Sequence, residues 1–313
     1  MRKYFITGGS GFIGSHIVKR LLSEGSSVTV YDNLSTGNKK LIERYLSDSN
    51  FRFIEADILD IAKLNQFMPG HDTVWHLAAN TDIIKGNTNT DWDLKNCTIG
   101  TYCILESMRN LNIKNLIFAS SATVYGDVPP QKLVETDGPL LPISLYGAGK
   151  LAGEGLVSAY CHLFDIRACI FRFGNVVGAN MWHGVILDFI KKLQTNPHEL
   201  EILGDGKQEK NFFTVEDCIQ GMLTVFEKST QNCDVFNLGA DTCTTVTKIA
   251  DIVCNEMGLK NVTYKYTGGS RGWRGDAPYV RFNIDKVKNL GWMPRYTSDE
   301  AVRIAARQLL GKE

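Results

Sequence analysis

The chain has 313 residues, of which 34 are acidic and 34 basic, so its formal net charge is zero. A balanced charge argues against a nucleic-acid partner or an anionic membrane surface, although a local anion site remains open. The length is better suited to two lobes than to a single core.

The cysteines and the apolar stretches exclude several other classes. Eight cysteines are scattered without a CxxC pair, and no His/Cys group has metal-ligand spacing, which predicts reduced thiols and no metal site. The first predicted strand begins almost at Met1, so we expect no signal peptide. No apolar stretch approaches the roughly 20 residues that a membrane span needs. The sequence therefore predicts a soluble, cytoplasmic protein with no membrane partner.

Strands and helices alternate through the first half of the chain. An apolar run at 3–7 is followed by glycines and then by apolar residues at helical spacing over 12–23, which predicts strand, turn and helix. Further predicted strands lie at 28–31, 51–56, 73–77, 115–119 and 167–172, with helical patterns near 61–68, 93–111 and 146–163. This alternation predicts an α/β fold with a parallel, doubly wound sheet of the Rossmann type.

The alternation loosens beyond residue 173. The predicted elements there are a turn at 204–206, helices over 215–228 and 245–257, and a glycine- and arginine-rich loop at 268–276. No linker or repeat separates the two halves. We therefore predict a cofactor-binding domain over 1–172 and a smaller substrate-binding lobe over 173–313, with a shared cleft and with segments able to interleave.

Glycines directly after the first predicted strand indicate a dinucleotide site. Gly8, Gly11 and Gly14 open the first predicted helix, and Asp32 ends the next strand, eighteen residues after Gly14. A pyrophosphate needs backbone N–H groups at a helix N-terminus, and the ribose hydroxyls need a carboxylate. Asp32 would repel a 2′-phosphate, and Asn33 and Leu34 supply no cation to replace it. The sequence therefore favours NAD over NADP.

Further residues are assigned to the same site. Asp57, after the third strand, is either an adenine contact or a solvated loop carboxylate. His76 closes a strand, where a histidine is more often a core residue than a catalyst, whereas the small Ala78 and Ala79 would let the backbone approach the cofactor. The expected cofactor contacts are Gly8, Gly11, Phe12, Ile13, Asp32, Asn33, Asp57, Ile58, Leu77, Ala78, Ala79, Tyr146 and Lys150.

A tyrosine and a lysine four residues apart suggest the chemistry. On a helix Tyr146 and Lys150 share a face, so the ammonium can lower the pKa of the phenol, which is about 10 when unperturbed. Ser121 or Thr123, after a strand, can pass the proton on by a hydrogen bond, and the dinucleotide can accept a hydride. The implied reaction is the oxidation of an alcohol.

Several motifs together resemble a known family. TGGSGFIG, Asp32, HLAA, SSATVYG, YGAGK, FRFGNVVGA and RGWRGD, in this order and spacing, are similar to the extended short-chain dehydrogenase/reductase family, in the branch around UDP-glucose 4-epimerase. The resemblance covers essentially the full length. It implies NAD in the first lobe, a nucleotide-diphosphate sugar as substrate, and Ser121 or Thr123, Tyr146 and Lys150 as the catalytic set.

The resemblance also implies substrate contacts and an assembly. Residues matched to the sugar nucleotide are Asn175, Lys210 and Arg271 or Arg274. Apart from the resemblance, His183 and Val185 open a helix-like run whose N-terminus is either an anion site for the substrate or a plain structural cap. Matching places Val280 at the position that decides whether a 2-acetamido group fits, which implies a roomy sugar pocket. The branch is commonly dimeric through two helices, here 93–111 and 146–163. The family often has Asn where Cys97 stands, which leaves open whether Asn96 or Cys97 approaches the cofactor.

Departures from the family pattern narrow the reaction. Related 4,6-dehydratases carry an Asp-Glu pair where this chain has Ala122 and Thr123, and related decarboxylases tend to carry Glu at the Thr123 position. The sequence therefore favours an NAD-dependent 4-epimerase of a nucleotide sugar. The alternative is a 4-dehydrogenase that releases a 4-keto GDP- or UDP-sugar, and the remote alternative is a non-catalytic NAD-sensing protein. The non-catalytic reading is disfavoured because proteins that lose activity on this fold usually lose the tyrosine or the lysine, and this chain has both Tyr146 and Lys150.

Overall fold

A computed structural model describes residues 1–80, 82–83, 86 and 88–312. Internal contacts divide the chain into two compact units, each built from three segments. The first unit contains Met1–Val124, Ser144–Arg172 and Met222–Phe236, and the second contains Tyr125–Ile143, Phe173–Gly221 and Asn237–Glu313. The functional division at residues 172 and 173 stays a prediction.

Fifteen strands and ten α-helices are found in the described part of the chain. The strands are β1 Lys3–Thr7, β2 Ser27–Asp32, β3 Phe51–Glu55, β4 Thr73–His76, β5 Asn115–Ser121, β6 Lys132–Leu133, β7 Arg167–Phe173, β8 Asn175–Val177, β9 Glu199–Ile202, β10 Glu209–Lys210, β11 Phe212–Thr214, β12 Cys233–Leu238, β13 Thr244–Thr245, β14 Thr263–Tyr266 and β15 Tyr279–Phe282. The helices are α1 Phe12–Ser23, α2 Ile61–Phe67, α3 Asp91–Asp93, α4 Gly100–Asn110, α5 Leu145–Phe164, α6 Val185–Thr195, α7 Val215–Lys228, α8 Val246–Met257, α9 Asp285–Asn289 and α10 Ser298–Leu309.

The first unit is built around a seven-stranded sheet in the order β12-β7-β5-β4-β1-β2-β3. The pairs that join β3, β2, β1, β4 and β5 are all parallel. Strand order reverses between β1 and β4, and ligands of such sheets bind at the carboxyl ends of the strands at this switch point. The prediction of a parallel, doubly wound α/β sheet is confirmed.

The central strands are covered on both faces. Phe5, Ile6, Val74 and Trp75 are all fully buried, and neighbours on one strand point to opposite faces. A strand buried on both sides reads as a continuous apolar run, because no face needs polar side chains. This is why β1 and β4 were recognisable from sequence.

The helix predicted over 93–111 is present, but its hydrogen-bond pattern changes along its length. The structure has α3, then a π-helical segment at Leu94–Ile99, then α4. At the start of α4 a Cβ on Gly100 would lie 2.3 Å from Cδ1 of Ile58, so a larger residue there would require the Ile58 side chain to move. Single π turns are rare and often mark functional sites.

The second unit contains a four-stranded sheet in the order β13-β10-β15-β6 and two smaller pairs, β11-β8 and β14-β9. Its core packs the apolar faces of α6, α8 and α10 together, including Phe189, Ile249 and Val302. In the described part of the chain no helix is long and apolar enough to span a bilayer.

A buried ion pair ties α5 to β7 in the first unit. Arg172 donates from Nε to Oε1 of Glu154 at 3.0 Å and from Nη2 to Oε2 at 2.7 Å, and Ser120 Oγ donates to Oε1 at 2.5 Å. Ser120 therefore faces away from Ser121, as strand alternation predicts. Both charged side chains are buried, so each depends on the other to offset its loss of hydration.

We expect Arg172→Met to destabilise the protein strongly, because it leaves the Glu154 carboxylate buried without a cation. The free energy of unfolding should fall by about 3–5 kcal/mol. Arg109→Met is the matched control, since Arg109 pairs with Glu106 at the surface and its loss should cost less than about 1 kcal/mol. Urea unfolding followed by circular dichroism measures both variants. Equal losses would contradict the assignment of a buried pair.

Candidate active site

The glycine turn after β1 is held by close backbone contacts. Gly8 has a positive φ of 72°, and a Cβ there would lie 2.8 Å from the Ala78 nitrogen. A Cβ on Gly14 would lie 2.3 Å from the Gly8 carbonyl oxygen. Both positions therefore require glycine, which brings the start of α1 against the ends of β1 and β4.

The N-terminus of α1 is free of competing groups. Its cap residue is Gly11, no side chain caps it, and its first turn contains no acidic residue. The backbone N–H groups of Phe12 and Ile13 stand in this turn, at the positive end of the helix dipole. This arrangement suits a phosphate group.

Asp32 lies beside that turn with its carboxylate fixed. Its Oδ2 accepts from the Ser10 nitrogen at 2.9 Å and its Oδ1 accepts from the Leu34 nitrogen at 2.9 Å. Leu34 adopts a left-handed φ of 58°, which turns its N–H back towards Asp32. Burial raises the pKa of Asp32, while the two backbone hydrogen bonds oppose that rise. Each oxygen keeps a lone pair for a ribose hydroxyl.

The other predicted cofactor residues flank this site in two groups. Asn33 Nδ2 donates to Asp57 Oδ2 at 2.9 Å, so these two side chains are joined, and the neighbouring Ile58 is buried. The Leu77 N–H donates to the Thr7 carbonyl at 3.2 Å, and the Ala78 N–H donates to Thr7 Oγ1 at 3.3 Å. Ala79 follows directly.

His76 is a core residue. Its Nδ1 lies 2.8 Å from Thr7 Oγ1 and its Nε2 lies 3.1 Å from Thr101 Oγ1. Thr101 Oγ1 donates to the Cys97 carbonyl at 2.6 Å, so His76 Nε2 carries the proton and donates to Thr101. Burial lowers the pKa of His76 to about 3, and the ring stays neutral.

The residues present fit a bound dinucleotide. An uncapped helix N-terminus, a glycine turn that admits no Cβ and a fixed carboxylate at the end of β2 supply a phosphate site and a ribose acceptor in one place. The chain thus has the groups needed to hold NAD.

Tyr146 and Lys150 lie on one face of α5. Lys150 Nζ stands 5.8 Å from the centroid of the Tyr146 ring and 5.3 Å from that of Phe118, and it donates to the Ala119 carbonyl at 2.6 Å. The helix begins where Ser144 Oγ accepts from the Gly147 nitrogen at 3.1 Å. This cap fixes the start of α5 directly before the tyrosine.

Of the two candidate hydroxyls at the end of β5, Ser121 is the one beside the phenol. Ser121 Oγ accepts from Thr123 Oγ1 at 3.0 Å and from the Thr123 nitrogen at 3.2 Å. Its own proton is therefore left to donate towards Tyr146, and this hydrogen bond lowers the pKa of the phenol. Thr123 supports Ser121.

The expected effect of Lys150 on Tyr146 is not met by the chain alone. Burial, together with the nearby Cys97 thiol, raises the pKa of Tyr146, and burial lowers the pKa of Lys150. Residue spacing indicates the effect of charge but not that of desolvation, which disfavours both charged forms. Further positive charge is needed to favour the phenolate.

The π-helical segment places Cys97, and not Asn96, against α5. Asn96 Nδ2 donates back to the Trp92 carbonyl at 2.8 Å, whereas Cys97 is buried against α5, where a Cβ on Gly149 would lie 2.8 Å from its own Cβ. Cys97 is thus the neighbour of the tyrosine and lysine.

Two of the predicted substrate cations converge in the second unit. Lys210 forms an ion pair with Asp276, whose backbone oxygen accepts from Arg271 Nη1 at 2.8 Å. Arg271 also pairs with Asp127, whereas Arg274 is exposed. Lys210 and Asp276 are far apart along the chain, and no local pattern predicts that they meet.

The remaining predicted substrate residues lie on other elements of the second unit. Asn175 Nδ2 donates to the Asn211 carbonyl at 3.1 Å. The His183 ring packs edge-on against Trp182 at 4.5 Å, directly before Val185 begins α6. Val280 is buried in β15, in register with Lys210.

The chain is similar to known proteins in both sequence and structure. The profile of the NAD dependent epimerase/dehydratase family matches residues 4–239. A candidate UDP-glucose 4-epimerase of Methanocaldococcus jannaschii is 32% identical over 95% of each chain. Two solved structures each cover 99% of both chains. One is a UDP-galactose 4-epimerase with 34% identity and a TM-score of 0.87. The other is a UDP-glucose 4-epimerase of Thermotoga maritima with UDP-glucose, with 28% identity and a TM-score of 0.88.

The glycine turn, Asp32 and the tyrosine–lysine face all fall inside the matched residues, and similarity extends over nearly the whole chain. The chain therefore belongs to the NAD-dependent epimerase/dehydratase family.

Proposed function

We propose that the protein is an NAD-dependent 4-epimerase of a nucleotide-diphosphate sugar of the UDP-glucose type. The observation that carries the proposal is the set formed by Tyr146 and Lys150 on α5 and Ser121 at the end of β5. Ala122 and Thr123 follow Ser121, so the acid and base that a dehydratase needs are missing from this segment. The solved relatives include 4-epimerases of UDP-galactose and UDP-glucose.

The chain's own residues handle the proton. Tyr146, as a phenolate, accepts the proton of the sugar 4-hydroxyl and later returns it, while Ser121 donates a hydrogen bond to the same oxygen. NAD held by the glycine turn and Asp32 would supply a reversible hydride acceptor for C4 of the sugar, so no oxidant would be consumed. Lys150 stabilises the phenolate, and a bound oxidised cofactor would add the further positive charge that the chain alone lacks.

Recognition of the nucleotide sugar is assigned to the second unit. Arg271 and Arg274 supply guanidinium groups, which bind phosphate oxygens in pairs, and Lys210 adds an ammonium. Asn175, His183 and Val185 are assigned to the same ligand. Val280, with a small side chain, is assigned to a sugar pocket that tolerates a 2-acetamido group.

A homodimer through α4 and α5 is part of the proposal. The outward face of α5 carries Ala148, Ala152, Gly155 and Ala159, all exposed at alternating spacings of three and four. Small residues at this spacing let another helix approach closely. On α4 and the segment before it, Ile99 and Tyr102 are exposed apolar side chains.

Sedimentation at micromolar concentration should give the mass of two chains; a single-chain mass would exclude the dimer.

Asp32→Asn should weaken the discrimination between NAD and NADP, because it removes the charge that repels a 2′-phosphate. We expect the ratio of the two dissociation constants to narrow by about tenfold or more. Glu55→Gln is the matched control, since Glu55 is exposed and lies in register with Asp32 on β3. Titration calorimetry with each cofactor measures the ratio. Equal affinity of the unmodified protein for both would refute the role of Asp32.

Tyr146→Phe should lower turnover by about 10²- to 10⁴-fold and leave NAD binding intact, because it removes only the proton acceptor. Tyr160→Phe is the control on the same helix, since its hydroxyl donates to Glu106 at 3.0 Å away from this site. Turnover and bound NAD are measured on the same preparations. Near-full activity of Tyr146→Phe would rule out the mechanism.

The reaction is tested by incubating the purified protein with UDP-glucose, UDP-galactose and UDP-N-acetylglucosamine, with products identified by NMR. An epimerase should interconvert a sugar and its C4 epimer without added oxidant and retain deuterium placed at C4. A 4-dehydrogenase would stop after about one turnover per site and leave the protein holding NADH. Release of a 4-keto sugar with no epimer would decide against the proposal.

A further inference from the structure

Four charged side chains of the second unit form a network, here called the charge network. Asp127 pairs with Arg271, Arg271 Nη1 donates to the Asp276 carbonyl oxygen at 2.8 Å, and the Asp276 carboxylate pairs with Lys210. Two positive and two negative charges meet in this network, so its net charge is zero. Both cations are therefore already neutralised by the protein's own carboxylates.

The two carboxylates of the charge network have different surroundings. Asp276 is buried, and both of its oxygens are engaged, Oδ1 by Lys210 and Oδ2 by the Gly272 nitrogen at 3.1 Å. The Asp127 side chain is 39% exposed, and Arg271 is its one hydrogen-bond partner among the described residues. Asp276 thus holds the loop over 268–276 together, whereas the Asp127 carboxylate can leave Arg271 without losing another hydrogen bond.

The backbone directly before Asp127 is held in place. Gly126 has a positive φ of 75° and forms a β-bridge with Leu141, and a Cβ on Gly126 would collide with the Leu141 carbonyl oxygen. The hydroxyl of Tyr125 donates to Asn237 Oδ1 at 2.7 Å. The Asp127 carboxylate therefore leaves Arg271 by rotation of an exposed side chain and needs no rearrangement of this backbone.

Arg271 has one contact that is fixed and one that can be exchanged. A Cβ on Gly204 would lie 2.9 Å from the Arg271 carbonyl oxygen, so the Arg271 backbone is packed closely, and its Nη1 is held by the Asp276 carbonyl. Its Nη2 binds Asp127, and the side chain is 36% exposed. A guanidinium binds carboxylate and phosphate oxygens through the same planar N–H groups, so a phosphate can replace a carboxylate at Nη2.

We propose that Asp127 occupies Arg271 in the ligand-free protein and is displaced by the diphosphate of the substrate, so that Asp127 sets the affinity of this site. The inference rests on the proposed function, which assigns Arg271 to a nucleotide diphosphate. A diphosphate carries more negative charge than the single carboxylate that it replaces, so the exchange favours the ligand. A singly charged anion has no such advantage, and Asp127 thereby selects against it.

Asp127→Asn should tighten the binding of a nucleoside diphosphate by about three- to tenfold, because it removes the competing ion pair and a negative charge near the phosphates. Titration calorimetry of the NAD-saturated protein with UDP, and in parallel with GDP, measures the dissociation constants. Asp241→Asn is the matched control, since it removes the same charge from a surface pair of the second unit, with Lys288 at 2.5 Å. The control should change the affinity by less than about twofold.

An unchanged affinity in Asp127→Asn would overturn the displacement. A weaker affinity would overturn it too, because Asp127 would then orient Arg271 for the ligand instead of competing with it.

A double-mutant cycle tests whether Asp127 acts through Arg271. Arg271→Gln should weaken binding by about tenfold or more, because it removes a charge-assisted contact to the phosphates. In the Arg271→Gln background, Asp127→Asn should change the affinity by less than about twofold. An equal gain in both backgrounds would reveal a general effect of charge and overturn the displacement. So would an unchanged affinity in Arg271→Gln.

Failure of the proposed function gives a different result. If UDP or GDP binds with the expected pattern and no nucleotide sugar is epimerised, the 4-epimerase assignment fails and the displacement stands. If neither UDP nor GDP binds to the unmodified protein or to Asp127→Asn, the displacement is overturned together with the assigned class of substrate.

Discussion

A buried ammonium is the constraint on which the interior of the first unit depends. Lys150 is only 2% exposed, and burying such a charge costs several kcal/mol unless nearby groups replace its water. The Ala119 carbonyl, the face of the Phe118 ring and the surrounding carboxylates supply that replacement. α5 carries Tyr146, Lys150 and Glu154 at spacings of four residues, so one helix face holds both the reactive groups and the charges that stabilise them. Stability and chemistry are therefore linked at this face.

The same burial determines how the tyrosine behaves. A water-poor site strengthens every electrostatic interaction and disfavours every isolated charge. The phenolate of Tyr146 consequently depends on positive charges that arrive in the right place, and it gains little from its surroundings otherwise. For the proposed mechanism this is a physical reason why proton transfer would be coupled to occupation of the cofactor site.

Much of the first unit could be predicted because its signals are local. The run at β1, the glycines before α1 and the position of Asp32 are set by neighbours along the chain, and the Tyr146–Lys150 spacing follows from helical periodicity. The confirmed parallel sheet follows from alternating strands and helices.

Other features depend on contacts between distant residues and had no local signal. The π-helical segment at Leu94–Ile99, inside the helix predicted over 93–111, is one of these features. Asp93 lies in a Asp-Trp-Asp run that looks solvent-exposed, yet it is buried. The predicted shift of the Tyr146 pKa was wrong in direction, because desolvation depends on packing that a sequence does not display. Residue spacing can predict that two side chains such as Tyr146 and Lys150 lie close together, but it does not predict how deeply they are buried.

The division of each unit into three chain segments bears on biosynthesis. The first unit needs Met222–Phe236 to complete its sheet with β12, so a ribosome must deliver more than two thirds of the chain before that sheet can close. Until then the edge of β7 and the apolar residues beneath it lack their final cover, and such surfaces favour association with chaperones or with other chains. For the same reason no single cut separates the units. Transplanting the cofactor-binding half into a chimera by a junction at residue 172 would leave its sheet one strand short.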